Sequence, residues 1–330
     1  MSEELRSIID RFSGQPVLVV GDMVADVYLE GKISRISREA PVLVLEHQGE
    51  TIVPGGAANV VHNIATLGGA IFALGVLGSD PAGEELESIL AAKGVVTSGL
   101  IADDKRPTIT KTRIMAGGQA TVRQQIVRID RESKEPLTSV IEQQLVNSFQ
   151  LLLPNVKAVI LSDYGVQTIS SMLKTVVLKC CRERSIPCIV DSRYDILSFK
   201  GATVVKQNEA ELMAALEYKE LSGEQLSAAG RALLTRMEAE VILLTRGPEG
   251  MTVFEKHAVT HIPVSNVAEV IDVSGAGDTA VAAMALSLAA GAGYLEAATI
   301  ANYAAGCVVR KFGTATTSQR EVAEAIGAAK

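Results

Sequence analysis

The residues best placed to do chemistry lie near the C-terminal end, in Val270-Ile271-Asp272-Val273-Ser274-Gly275-Ala276-Gly277-Asp278-Thr279. A short β-branched run leads in, two glycines follow one residue apart, and an alanine-rich stretch over 280–290 leads out. This pattern predicts a strand or extended lead-in, a tight turn and a helix. The first N–H groups of a helix have no internal partner and carry about half a positive charge between them. Gly275 and Gly277 lack Cβ, so an anion can approach the backbone closely. Asp278 then stands in or beside the first helical turn. It is either an ordinary acidic partner of the helix dipole or a catalytic base next to a transferred phosphoryl group.

Those residues need a scaffold, and the chain supplies one. Apolar runs at 16–20, 71–77, 158–161, 186–191, 203–205 and 241–245 alternate with helical segments at 57–67, 82–93, 139–152, 170–182, 209–216 and 223–237. A helix over 4–13 precedes them, and 251–254 with 258–262 form a late hairpin. Strands alternating with helices imply a mainly parallel α/β sheet covered on both faces. Ligands collect at the C-terminal ends of such strands. Polar residues follow five of the runs: Asp22, Ser162-Asp163-Tyr164-Gly165, Asp191-Ser192-Arg193, Lys206-Gln207-Asn208 and Thr245-Arg246-Gly247. Two segments, 31–50 and 108–130, break the alternation with extended, mixed-polarity sequence such as Val122-Arg123-Gln124-Gln125-Ile126-Val127-Arg128-Ile129. They predict a small β-sheet lid, contiguous in space and split in sequence, that excludes water from the site.

Composition narrows the function. The chain has 330 residues, 48% of them hydrophobic, and a net charge of −7, which argues against nucleic acid or an anionic membrane as partner. Trp is absent and aromatics are 4%, too few for a base-stacking platform. Cys180, Cys181, Cys188 and Cys307 form no Cys-x-x-Cys pair and are expected to be reduced, in a cytoplasmic protein. Residues 1–15 contain no apolar signal-peptide core, and 279–292 is too short to span a bilayer. No Gly-x-Gly-x-x-Gly follows the first strand and no Walker A sequence occurs, which weighs against dinucleotide and P-loop chemistry. One unit over 1–330 with the inserted lid is expected.

The segment Asp272-x-x-Gly275-Ala276-Gly277-Asp278-Thr279 resembles the C-terminal signature of the ribokinase-like (PfkB) carbohydrate kinases. Pro54-Gly55-Gly56-Ala57-Ala58-Asn59 is similar to the same family's N-terminal Gly-Gly-x-x-Asn sugar-binding segment. The resemblance implies ATP as co-substrate, with Asp278 as base and the N–H groups of Gly275, Ala276 and Gly277 as an anion hole. It implies sugar contacts at Asp22, Gly55, Gly56 and Asn59, with Asp163 and Asp191 also facing the acceptor. Asn208-x-x-Glu211 matches the nucleotide and magnesium motif, although Asn and Glu at this spacing also form a helix capping box. Thr245, Gly247 and Gly250 would border the nucleotide phosphates, and Asn302 the adenine. Asp272 stands where relatives bind a monovalent cation, so potassium is implied.

Ser34-Arg35-Ile36-Ser37-x-Glu39-Ala40-Pro41 is narrower and resembles the heptose 7-phosphate kinases of lipopolysaccharide precursor synthesis. So do Lys111-Thr112-Arg113 and Gln124-Gln125-x-x-Arg128-x-Asp130. This implies D-glycero-D-manno-heptose 7-phosphate as acceptor at O1, giving the 1,7-bisphosphate. The cations Arg35, Arg38, Arg113, Arg123 and Arg128 concentrate in the lid; they hold a phosphate or simply keep an edge strand soluble. The chain departs from that group at Asp191-Ser192-Arg193-Tyr194, where Asp-Pro-Lys-Gly is usual, and at Lys206-Gln207-Asn208, where Thr-Pro-Asn is usual. Arg193 or Lys206 would replace the lost lysine. With about 50 residues after Asp278, only the kinase step of the bifunctional relatives is expected, in a homodimer joined through the lid. The competing possibilities are a kinase for another sugar, sugar phosphate or nucleoside, and a non-catalytic protein that binds sugar or nucleotide.

Overall fold

A computed structural model describes residues 2–117, 124–264 and 270–328. The strands are β1 (Pro16–Gly21), β2 (Met23–Ile36), β3 (Leu43–Gly56), β4 (Ala70–Gly78), β5 (Val96–Asp103), β6 (Ile109–Gly117), β7 (Gln124–Arg131), β8 (Ala158–Asp163), β9 (Cys188–Ser192), β10 (Val204–Asn208), β11 (Val241–Thr245), β12 (Met251–Glu255) and β13 (Val259–Ile262). The helices are α1 (Ser2–Asp10), α2 (Ala57–Thr66), α3 (Pro81–Ala91), α4 (Ser139–Leu152), α5 (Ser171–Glu183), α6 (Glu209–Leu216), α7 (Gly223–Met237), α8 (Ala276–Ala289), α9 (Tyr294–Val308) and α10 (Gln319–Ala328).

Nine strands form one sheet in the order β13-β12-β11-β10-β9-β8-β1-β4-β5. It is parallel from β5 across to β11, and β12 and β13 close it antiparallel. Its strands are apolar because both faces are covered: α1, α2, α8, α9 and α10 share one core with Val17, Val19 and Ile160, while α4, α5 and α7 share another with Leu18, Val20 and Leu161. The order in which strands are added reverses between β1 and β8, which makes that point the place for a ligand crevice.

β3, β2, β6 and β7 form a second, four-stranded sheet, the split lid expected from sequence. It is larger than expected. β2 begins at Met23 and β3 runs to Gly56, so Asp26 lies within a strand, and the pairing of β2 with β3 and β6 continues to the root of the site. Arg123 and Val122 lie outside the described residues. β5, α9 and α10 were not foreseen: β5 is the polar-flecked edge strand Val-Thr-Ser-Gly-Leu-Ile-Ala-Asp, and α9 lies in alanine-rich sequence with weak periodicity.

Candidate active site

The sequence predicts a tight turn and then a helix with Asp278 in or beside its first turn, and the structure shows where that helix begins. Gly275 adopts φ +78, a left-handed conformation that costs glycine little, and α8 starts at the next residue. A Cβ on Gly275 would stand 2.8 Å from Asn59 Nδ2. The β-branched lead-in is not a strand. Val270, Ile271 and Val273 are exposed coil, tied to α9 by the Ile271 and Asp272 N–H groups donating to the Val309 carbonyl.

Asp278 is buried in the first turn of α8 at the floor of a cavity of about 750 Å³. Its two oxygens are held from different directions. Asn59 Nδ2 donates to Oδ2 at 2.7 Å, and the Tyr164 hydroxyl donates to Oδ1 at 2.9 Å. Behind Asn59, Asn63 Nδ2 donates to the Asn59 side-chain oxygen and Thr279 Oγ1 donates to Asn63 Oδ1, so α2 and α8 are locked by a buried polar chain. Burial raises the Asp278 carboxyl to about 6, with nearby Asp191 adding to the rise and its hydrogen bonds and Lys206 opposing it. A carboxylate at that value is a better proton acceptor near neutral pH than a free aspartate.

The strand ends deliver the rest of the lining. Asp163 closes β8, Asp191 is the penultimate residue of β9, Lys206 lies mid-way along β10 and Asn208 closes it, and Thr245 closes β11. Lys206, almost fully buried, bonds both Asp191 oxygens at 3.1 and 3.2 Å, and its Nζ would stand 3.0 Å from a Cβ on Gly277. Burial opposes the lysine charge, but Asp191, Glu211 and Asp278 together outweigh it, so its pKa is raised and it stays a cation beside the start of α8. Gly247, Gly250, Asn302, Arg193 and Glu211 line the same cavity, with an apolar flank from Val264, Val270, Val273 and Val309. Asn208 and Glu211 do form a capping box: Asn208 N–H donates to Glu211 Oε2, and Glu211 N–H to Asn208 Oδ1, both at 2.8 Å. That leaves one Glu211 oxygen for a hard cation, and magnesium needs few protein oxygens because it keeps its waters.

Several expected sugar contacts are placed differently. Asp22 is fully buried and accepts from the N–H groups of Tyr164 at 2.7 Å and Thr168 at 3.3 Å. Its burial raises it to about 6, and its geometry makes it an anchor for the loop after β8. Gly55 and Gly56 sit where β3 turns into α2. Side chains there would strike the Asp26 carboxylate and the Asp22 carbonyl, so these glycines serve close packing. Asn59 faces Asp278. Asp163 accepts from Gly165 N–H and from Ser192 Oγ. Asp272 accepts from the N–H groups of Ser274 and Gly313. Ala276 N–H donates to the Val273 carbonyl at 3.2 Å, which leaves the anion-hole expectation with Gly275 and Gly277. Arg35 is exposed near the far end of β2, and Arg128 forms a two-bonded pair with Asp130; neither lines the cavity. Sequence reasoning missed the Asp26–Arg113 ion pair at 2.6 Å, the Asn59–Asn63–Thr279 chain and the reach of Tyr164. Tyr164 was visible only as part of its motif.

The family model for "pfkB family carbohydrate kinase" matches residues 15–321. This chain belongs to the pfkB family of carbohydrate kinases. It is 42% identical over 315 residues to the "Bifunctional protein HldE" of Desulfatibacillum aliphaticivorans, covering 95% of this chain and 63% of the relative. The corresponding protein of Mesorhizobium japonicum is 39% identical over 98% of this chain and 64% of its own length. The chain therefore spans a little under two thirds of these relatives. Escherichia coli phosphofructokinase-2, solved in complex with potassium, superposes with a TM-score of 0.76 at 20% identity, covering 95% of this chain and 98% of that one. Arabidopsis thaliana ribokinase, complexed with ribose and ATP, superposes with a TM-score of 0.73 at 20% identity, over 95% and 99%. The fold of this pfkB kinase is thus ribokinase-like.

Proposed function

We propose that this carbohydrate kinase transfers the γ-phosphoryl group of ATP to O1 of D-glycero-D-manno-heptose 7-phosphate, forming the 1,7-bisphosphate. The observation that carries the kinase mechanism is Asp278, a buried carboxylate in the first turn of α8, held on both oxygens and open to a cavity lined by strand ends. Asp278 takes the proton of the acceptor hydroxyl as the oxygen attacks phosphorus in line. The Gly275 and Gly277 N–H groups and the Lys206 cation stabilise the charge that builds on the transferred group. Phosphoryl transfer passes through a loose transition state, so positioning and charge stabilisation supply most of the rate.

Thr245, Gly247, Gly250 and Asn302 would hold the nucleotide on the apolar flank. Glu211 would hold Mg²⁺ through its waters. When bound, the metal neutralises charge on the phosphates. A monovalent cation beside Asp272 belongs to the same proposal. The heptose acceptor is supported by Ser34-Arg35-Ile36-Ser37 with Glu39-Ala40-Pro41, and by relatives 36–42% identical that all bear the HldE name. We place the enzyme in the cytoplasm as a single kinase unit. We also propose a homodimer through the small sheet, because Ile36, Val42, Leu43, Val127 and Ile129 leave 43–66% of their surfaces exposed there. Among the described residues no helix is long and apolar enough to cross a membrane.

The test is ADP release from Mg-ATP with heptose 7-phosphate, fructose 6-phosphate, ribose, fructose and adenosine as acceptors. Turnover confined to heptose 7-phosphate is the expected result. Turnover with another acceptor would move the substrate and keep the mechanism. Asp278→Asn should lower kcat by about 10²–10⁴-fold with nucleotide binding retained, the range for removal of a general base. Because the base must be ionised, kcat/KM should fall as pH drops through about 6.

A further inference from the structure

Tyr164 belongs to the loop after β8 yet touches the base on α8, 114 residues away in sequence. Its backbone is fixed from below, where Asp22 accepts from the Tyr164 and Thr168 N–H groups. Gly165, at φ +78, donates its N–H to Asp163 Oδ1, so the loop is pinned on both sides of the tyrosine. Two cations stand against its ring. Arg193, after β9, lies 5.0 Å from the ring centroid, and Lys111, on β6 of the small sheet, lies 5.3 Å away. Both are within cation–π range. Lys111 is the strand neighbour of Asp26 and Asp130, so the face it shares with them is the one turned toward Tyr164.

We propose that Tyr164 is a positioning residue that aims the Asp278 carboxylate and couples it, through Lys111 seated over its ring, to the placement of the small sheet. The inference rests on Asp278 acting as the base. The phenol is suited to the task. Burial and the adjacent Asp278 push its pKa well above the ordinary value, so it stays a donor across the working range. The carboxylate receives one hydrogen bond on each oxygen, from Asn59 on α2 and from Tyr164. Two donors on two oxygens define the plane of the group, whereas one would leave it free to swivel. Lys111 comes from the small sheet, so a shift of that sheet moves the cation on the ring and with it the second donor.

The charged and titratable groups that face Asp278 are Tyr164 from the loop after β8, Asp191 from β9 and Lys206 from β10; Asn59 on α2 is neutral. Asp191 raises the carboxyl, and Lys206, Asn59 and Tyr164 lower it. Removing the phenol therefore moves the Asp278 titration upward from about 6.

The experiment is carbon-detected NMR titration of the full chain labelled at the aspartate carboxyl carbons, with Asp278→Asn identifying the resonance. In Tyr164→Phe the Asp278 titration should move up by about one pH unit, the size of one hydrogen bond to a charged group. Where turnover is measured, kcat should fall about tenfold and the acidic limb of kcat/KM should move up in step, with KM for ATP unchanged. Lys111→Met should give a smaller shift in the same direction, and Tyr164→Phe with Lys111→Met together should give no more than Tyr164→Phe alone. An unmoved Asp278 titration in Tyr164→Phe, even with a lower melting temperature, would make the tyrosine a packing residue and overturn the proposal. Independent, additive effects of the two substitutions would overturn the coupling to the small sheet. Full turnover in Asp278→Asn would remove the assignment of the base, and the NMR titration would still report whether Tyr164 holds that carboxylate.

Discussion

In the large sheet β8 is buried along its whole length, and β1 and β11 each expose one partly covered residue, whereas every residue of β7 in the small sheet is exposed. The difference separates two uses of a β-sheet. The large sheet is covered by helices on both faces and holds its own core, so its sequence is set by packing. The small sheet has a charged face, with Asp26, Tyr28, Lys111, Arg113, Arg128 and Asp130 in cross-strand register, and an opposite face that carries Val127 and Ile129. Its charged side turns toward Tyr164 and its apolar side is left for a cover. The large sheet holds the core, and the small sheet is the one we propose for selectivity and assembly.

The strongest way to break this contrast is in the central strand. Ile160 is fully buried in β8, and Ile160→Ala should cost about 2–5 kcal/mol, the range for deleting a packed aliphatic side chain. Urea unfolding measures it. A loss under 1 kcal/mol would mean that the large sheet is not the stabilising unit.

The next effect lies at the site itself, where the large sheet carries a cost. The Asp278 carboxyl is about 6 in the folded protein against 3.8 unfolded, so folding favours its protonated form. The stability this gives is complete below 3.8 and is lost as pH rises through about 6. Above pH 6 the ionised group costs on the order of 1–3 kcal/mol. Asp278→Asn should therefore be more stable than the parent at pH 8, and the gain should vanish at pH 4. Melting temperatures at the two pH values test the sign; a variant less stable at pH 8 would show that Asn59 and Tyr164 outweigh burial.

These two substitutions also mark what the sequence made legible. Ile160 lies in a continuous apolar run, and such runs alternating with helices announced the parallel sheet. Asp278 was visible because two glycines and a helix start surround it. Its partners were not: Asn59 and Tyr164 meet it across 219 and 114 residues. No local pattern encodes contacts of that range. The family resemblance implied a sugar contact at Asp22, but sequence does not show which way a carboxylate turns, and here its oxygens accept from two backbone N–H groups. Asp26 was hidden for a related reason. A carboxylate inside a strand is costly unless paired, and its partner Arg113 enters on another strand of the small sheet. The lid arginines looked equivalent in sequence, yet Arg113 is committed to Asp26 and Arg128 to Asp130.

The smallest expected effect sharpens the contrast most. Ile129 is 55% exposed on β7, so Ile129→Ser should change the stability of the isolated chain by less than about 0.5 kcal/mol, as exposed positions away from special contacts do. If a second copy covers this face, the same substitution should weaken association, because the serine hydroxyl is buried against an apolar partner. Light scattering across a concentration series separates the two effects. The parent should pass from monomer to dimer at lower concentration than Ile129→Ser, while both unfold at similar urea concentration once dissociated. Identical association curves would remove Ile129 from the interface. An unfolding midpoint that drops as far as that of Ile160→Ala would mean that the small sheet, too, is held by its own core.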